Sequence, residues 1–324
     1  MRITLGTKPS VMLGFFTLRG LDIMNLKKPY SLDEQIAKLK EHGVIIDDVD
    51  FAKSILQQVS YYRLSGYMIQ YRIQPYCSRL KYGVKFKEIY SLYRFDEELR
   101  ALLRLYIERA EFFYKNLIGN VFAELKCSSP PHNQHYDVGN YYDKKGIEKT
   151  LQNFANEKRY YRDSAIIKHH ENKYGDKMPL WVMMELMTCS SISMFYHALY
   201  ISDKEKISSE VGISPTTLEN HLHALSVLRN KCSHGVRLYN SIFNPPVKFN
   251  KNFLRRHPEI RNNTLFAYIL MLIKRLPTDE DRKQFRDRLN RVINKYNHVI
   301  SFNLIGFPAD YRKELYIKNL RSII

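Results

Sequence analysis

The strongest constraint on the fold is a run of residues, from 86 to 126, in which apolar side chains recur every three or four positions. The run contains no proline, and Gly119 is its one glycine. This period is that of an α-helix with one buried face. The pattern predicts one long helix, or two with a bend near Gly119, and its apolar positions are Ile89, Leu92, Tyr93, Leu99, Leu102, Leu103, Tyr106, Phe113, Leu117 and Val121.

The rest of the chain is also patterned for helices. Ser31 and Glu34 form a capping-box signal for a helix that ends at Gly43. Strand patterns are weak, and residues 81–86 offer at most one arm of a small turn. The sequence therefore predicts an all-α fold, with further helices in 50–72, 147–158, 163–174, 180–200, 215–233, 263–275 and 278–297.

Four regions are predicted along the chain. Residues 1–24 lack periodicity and are predicted to be a flexible lead-in. An N-terminal helical region follows at 25–85, then a helical bundle at 86–245. Residues 246–324 are predicted to form a C-terminal helical extension.

The chain is strongly basic, with 51 Lys and Arg against 33 Asp and Glu, a formal charge of +18. Such a charge suits a polyanion, and nucleic acid is the commonest one. Some of the 24 tyrosines could stack on unpaired bases, although most are expected in a helical core.

The four cysteines lie far apart without a CxxC pair, which argues against a disulfide scaffold or a zinc ribbon. No apolar run reaches the roughly 18–20 residues of a membrane span. We expect a cytoplasmic protein with no membrane partner, no metal and no cofactor.

Residues 227–240, VLRNKCSHGVRLYN, contain Arg229 and His234 with four residues between them, at the end of a predicted helix. These two residue types could cleave RNA without a metal ion. Histidine has an unperturbed pKa of about 6.5, so it can act as base or acid while a ribose 2′-hydroxyl attacks phosphorus. Arginine stays charged, and its planar fork matches the phosphate oxygens.

Helix geometry limits this interpretation. Positions five apart on an ideal helix point about 140° away from each other. Gly235 predicts a helix end, which would leave His234 free to turn. A symmetric dimer is a second solution, because two copies would bring two arginines and two histidines into one cleft.

The R-x4-H spacing resembles the R-x4–6-H signature of the HEPN superfamily. Five blocks in order, over about residues 25–300, resemble the Abi_2 (AbiD/AbiF-like) abortive-infection family of bacterial phage-defence proteins. The blocks are KKPYSLDEQIAKLKEHGVIIDD (27–48), SYYRLSGY (60–67), LYRFDEELRALLRLYIERAE (92–111), MPLWVMMELMTCSSISMFY (178–196) and VLRNKCSHGVRLYN (227–240).

The resemblance implies a HEPN-like bundle at 86–245, a homodimer with a composite active site, and a metal-independent endoribonuclease that leaves a cyclic phosphate. It implies that Arg229 and His234 are catalytic. Many relatives have a second histidine after the catalytic one, where this chain has Gly235. The expected supporting residues are Asn230 and Glu108, and the expected RNA-binding residues are Lys231, Arg237 and Tyr239. An unchecked nuclease would harm its cell, so we also expect an RNA or protein antitoxin.

Non-catalytic interpretations of these residues stay open at this point. Basic residues at a helix C-terminus complement the helix dipole without any catalysis. Glu108 could belong to an exposed face that forms weak ion pairs. The alternative function is a non-catalytic HEPN protein that binds RNA and partners a small RNA or an antitoxin.

Two further patterns are weaker. Residues 204–222 resemble a helix-turn-helix, but the second helix runs on into Arg229, and His221 stands where an apolar residue is expected. A metal site is disfavoured because side chains two positions apart on a helix diverge; its ligands would be His221, His223, Cys232 and His234.

Overall fold

The computed structural model describes residues 28–316, which form fourteen α-helices and no β-strand. This confirms the predicted all-α fold, whereas the predicted lead-in at 1–24 lies outside the described residues. The helices are α1 (Leu32–Glu41), α2 (Val49–Gln58), α3 (Tyr61–Met68), α4 (Phe86–Lys126), α5 (Lys144–Tyr160), α6 (Ala165–Tyr174), α7 (Leu180–Leu186), α8 (Cys189–Ala198), α9 (Ile201–Ser209), α10 (Pro215–Ser233), α11 (Lys251–Arg256), α12 (Leu265–Arg275), α13 (Asp279–Tyr296) and α14 (Tyr311–Leu315).

The central element is α4, a single helix of 41 residues that is about 60 Å long. It continues through Gly119, where the missing side chain makes room for α7. A β-carbon at this glycine would lie 3.0 Å from Cγ of Met184. Helices α3, α7, α9, α10, α12 and α13 all pack against α4.

The core continues into α10 and α12. All eleven residues of α12 are buried, as expected for a helix that is apolar on every side. Because α3, α12 and α13 pack directly on α4, helices from all three predicted helical regions share one core. No helix in residues 28–316 is long and apolar enough to cross a membrane.

The prediction of one helix over 180–200 is wrong, because α7 ends before Met187 and α8 begins after Thr188. The hydroxyl of Thr188 accepts a hydrogen bond from the backbone N–H of Ser191 at 3.1 Å. Such a cap competes with continuation of the helix. The weak strand signal at 81–86 corresponds to isolated bridges, Arg72 with Leu80 and Ile45 with Lys85.

Candidate functional site

The motif helix α10 runs antiparallel to α4. Near its middle, Leu225 lines a small void together with Glu111 of α4. Near its end, Cys232 is buried; burial raises the pKa of its thiol to about 12, and Arg104 of α4 is among the nearby charges. Arg229 is therefore level with the stretch of α4 between Arg104 and Glu111.

The helix ends at His234, as Gly235 predicted. The N–H of Gly235 bonds to the carbonyl of Cys232 at 3.4 Å, and that of Val236 bonds to the carbonyl of Lys231 at 2.9 Å. This pair of bonds is a Schellman motif. It requires the left-handed backbone that Gly235 adopts, with φ +64°. Gly235 thus has a structural task at the end of α10.

A cation from α3 lies at the same helix end. The Nη1 atom of Arg63 donates to the carbonyl oxygen of Gly235 at 2.6 Å. A β-carbon at Gly235 would lie 3.3 Å from that nitrogen. The imidazole of His234 is exposed, and Tyr62, which precedes Arg63 in the chain, is 87% exposed. Arg63 belongs to the SYYRLSGY block, but sequence alone could not place it at the carbonyl of Gly235.

Arg229 is half-buried and its guanidinium has no carboxylate partner among residues 28–316. Its Nη1 donates to Oδ1 of Asn230 at 3.4 Å. The Nδ2 atom of Asn230 in turn donates to the hydroxyl of Ser190 on α8 at 3.4 Å. Asn230 therefore links the motif helix to α8, and the supporting role expected for it stays a prediction.

The acidic side chain of α4 that reaches toward α8 is Glu111. Burial and the charge of Glu111 raise the pKa of the Cys189 thiol to about 12, while Arg229 and Lys115 oppose the rise. All three charged groups therefore act on Cys189, and Glu111 pairs with Lys115 at 3.1 Å. Glu108, the predicted supporting acid, is exposed nearly one turn earlier on α4.

The three predicted RNA-binding residues have different environments. Lys231 is half-buried, with its Nζ 5.2 Å from the ring centre of Phe243. Arg237 is half-buried and donates to the carbonyl of Gly66 on α3. Tyr239 is only 1% exposed, so its ring lies in the core and cannot stack on a strand that binds at this surface.

Asp96 of α4 explains why Tyr239 is buried. Its carboxylate accepts the backbone N–H groups of Leu238 at 3.1 Å and Tyr239 at 2.9 Å, and the hydroxyl of Tyr67 at 2.8 Å. Arg100 forms an ion pair with the same group. Burial raises the pKa of Asp96, and the charge of Arg100 opposes the rise. Asp96 thereby fixes the chain just after His234 to α4 and α3.

An open groove of about 630 Å³ lies between α8 and α10, and its lining includes Asn230 and Lys248. On its wall, Nδ1 of His197 lies 2.8 Å from Oε1 of Glu219, and Nζ of Lys204 lies 2.7 Å from Oε2. His197 and Glu219 escaped the sequence analysis because they belong to different helices.

Within the described residues, neither the helix-turn-helix pattern nor the four-residue metal pattern corresponds to a functional site. The side of α10 that contains His221 packs into the bundle, against α4, α8, α9 and α12, so this helix cannot enter a DNA groove. Burial lowers the pKa of His221 to about 3. Cys232 is also buried, whereas His223 and His234 are exposed, so the four residues do not form a common site.

These features define an all-α protein with a basic, partly open site at the C-terminal end of α10. The chain belongs to the Abi-like protein family (Abi_2), whose model matches residues 54–240, more than half of its length. The match includes α3, α4 and the motif from Arg229 to Tyr239, and it links the protein to abortive infection, a defence against phage. Comparison with curated proteins and with solved structures gives no match.

Proposed function

We propose that the protein is a metal-independent endoribonuclease, the toxin of a bacterial abortive-infection system, built on a HEPN-type bundle. The observation that carries the proposal is the end of α10, where His234 is exposed and Arg63 donates a hydrogen bond to the carbonyl oxygen of the next residue, Gly235. Neither Arg63 nor Arg229 forms an ion pair with a carboxylate among the described residues. Unpaired guanidinium groups at a partly open surface are suited to phosphate.

The reaction transfers one proton in each of two steps. His234 takes the proton of the ribose 2′-hydroxyl as the 2′-oxygen forms a bond to phosphorus. The bond from phosphorus to the 5′-oxygen then breaks, and an imidazolium returns a proton to the leaving oxygen. The products are a 2′,3′-cyclic phosphate and a 5′-hydroxyl, and Arg229 stabilises the added charge on the phosphorane.

The proposal includes a homodimer, because Arg229 and His234 lie five positions apart at the end of one helix. His234 has φ −87° and ψ 7°, which is close to a helical turn. The angle of about 140° between positions five apart therefore persists. In a twofold dimer, the exposed His234 of each protomer would serve a phosphate held by the partner's guanidinium.

Control of the toxin follows from its chemistry. A nuclease that cuts by this route needs no external ion, so its activity must be restrained by a partner. The net charge of +18 favours a structured RNA as that antitoxin, although a protein could serve. RNA is thus the proposed substrate and a candidate inhibitor.

The nucleophile is tested with an RNA that contains one 2′-deoxynucleotide on the 5′ side of the cleaved bond. We expect the all-RNA strand to be cut and to yield a 2′,3′-cyclic phosphate, whereas the modified strand stays intact at that bond. The modification removes the attacking hydroxyl and leaves the phosphate charge unchanged. Cutting of the modified bond would refute 2′-hydroxyl attack. Tight binding without any cutting would favour the non-catalytic RNA-binding alternative.

A further inference from the structure

A second basic site lies apart from the motif. A cavity of about 390 Å³, here called the α4–α12 cavity, lies between α4, the turn from α9 to α10, and the junction of α12 with α13. It contacts α10 only through the turn before Pro215. That residue is 14 positions from Arg229 along the helix, or about 21 Å.

Two buried cations that lack an ion-pair partner within the described part of the chain line this cavity. Lys274 is 7% exposed and Arg275 is 3% exposed. Among residues 28–316, no carboxylate forms an ion pair with either one. Nη1 of Arg275 donates to the hydroxyl of Tyr114 at 3.1 Å, and its buried Nε has no hydrogen-bond partner in the part of the chain that the structure describes.

The surroundings supply only part of the missing negative charge. Glu314 lies near enough to Lys274 to raise its pKa, but its own close partner is His257, at 3.1 Å. Arg282 adds a third cation to the lining. Glu210 is the one acid of the lining, and it is exposed. The C-terminal dipole of α12 favours cations, but buried charges without partners are costly in any protein. An anionic ligand would remove that cost.

We propose that the α4–α12 cavity binds a nucleotide through a phosphate monoester held by Lys274 and Arg275. The half-buried ring of Phe113 and the apolar surface of Leu276 and Pro277 line the same space, and they give the base a stacking face. The volume lies in the usual range of small-ligand sites. The phosphate belongs either to a free mononucleotide or to the 5′ end of an RNA.

Calorimetric titration of the full chain tests the site with AMP, adenosine and inorganic phosphate. We expect AMP to bind and adenosine, which lacks the phosphate, to bind about 10- to 100-fold more weakly. A tetranucleotide RNA, with a 5′-phosphate or a 5′-hydroxyl, identifies the source. Tighter binding of the 5′-phosphorylated RNA than of both AMP and the 5′-hydroxyl RNA assigns the site to an RNA end, whereas equal binding of the two RNAs together with binding of AMP assigns it to a free nucleotide.

The matched variants are Lys274→Met, in the cavity, and Lys283→Met, on the exposed face of α13. Lys274→Met should weaken AMP binding about 10- to 100-fold, and Lys283→Met should not. Lys274→Met removes a buried charge that has no ion-pair partner, so the variant should stay folded. A thermal unfolding scan checks this. Failure of AMP and the phosphorylated RNA to bind, or equal binding of AMP by both variants, would overturn the proposal. RNA cleavage is not needed for any of these readouts.

The pH dependence of AMP binding gives an independent check. Burial and the charges of Arg275, Arg282 and Arg286 together lower the pKa of Lys274 to about 8, and Glu314 opposes the change. Above that pH the lysine of the empty cavity is neutral, so AMP affinity should fall between pH 7 and pH 9. The phosphate itself keeps its charge over this range. A flat profile in the wild type, or the same fall in Lys274→Met, would contradict the assignment.

Discussion

Replacing His234 with alanine is expected to lower the rate of RNA cleavage by a factor of about 10² to 10⁴, the usual contribution of a positioned proton-transfer group. RNA binding should change little, because the exposed imidazole is one contact beside several cations. The measurement is a single-turnover cleavage rate at saturating protein, together with a binding isotherm for the same RNA. This pair of readouts separates chemistry from affinity.

The matched control is His169→Ala, an exposed histidine of α6 outside the motif helix. It should cleave RNA at the wild-type rate. Equal rates for His234→Ala and the wild type would remove His234 from the reaction. A parallel loss of binding and cleavage would make His234 an RNA contact and not a proton-transfer group.

Replacing Asp96 with asparagine is expected to lower the free energy of unfolding by about 3–5 kcal/mol, the typical cost of removing one partner from a buried ion pair. The change leaves the charge of Arg100 buried without compensation, and it weakens the bonds to the backbone of Leu238 and Tyr239. Urea denaturation of the full chain measures the difference.

Two further variants serve as controls for the Asp96→Asn measurement. Glu97→Gln breaks the pair with Arg94 on the exposed side of the same helix, and it should cost about 1 kcal/mol or less. Adding Arg100→Met to Asp96→Asn should recover part of the loss, because no unpaired charge then remains buried. A cost for Asp96→Asn as small as that of Glu97→Gln would show that Asp96 does not hold the site together.

The sequence predicts most of the fold because its elements depend on local signals. The apolar period of α4 and the helix-ending glycine at 235 each determine the backbone of only a few neighbouring residues. The long helix over 86–126 and the helix end at Gly235 are both confirmed. The break between α7 and α8 was missed because the apolar period runs across it, while the cap of Thr188 depends on one hydroxyl bond.

The site was harder to predict because its residues meet only after folding. Asp96 is a charged residue in the apolar stripe of α4, and this position was the one sequence signal of a buried carboxylate. Its partners Leu238 and Tyr239 lie more than 140 residues away in the chain. Tyr239 was predicted at the RNA surface because an aromatic residue near a basic motif suits stacking. Its burial depends on these long-range bonds. The catalytic roles of Arg229 and His234 stay predictions.

The central claim is that a guanidinium and an imidazole cut RNA without a metal ion. The most direct measurement is the cleavage rate of one RNA in excess EDTA, with the purified wild type and with Arg229→Ala. We predict an EDTA-insensitive rate for the wild type and a loss of cleavage in the variant. Cleavage that stops in EDTA and returns with added Mg²⁺, or wild-type cleavage by Arg229→Ala, would contradict the account.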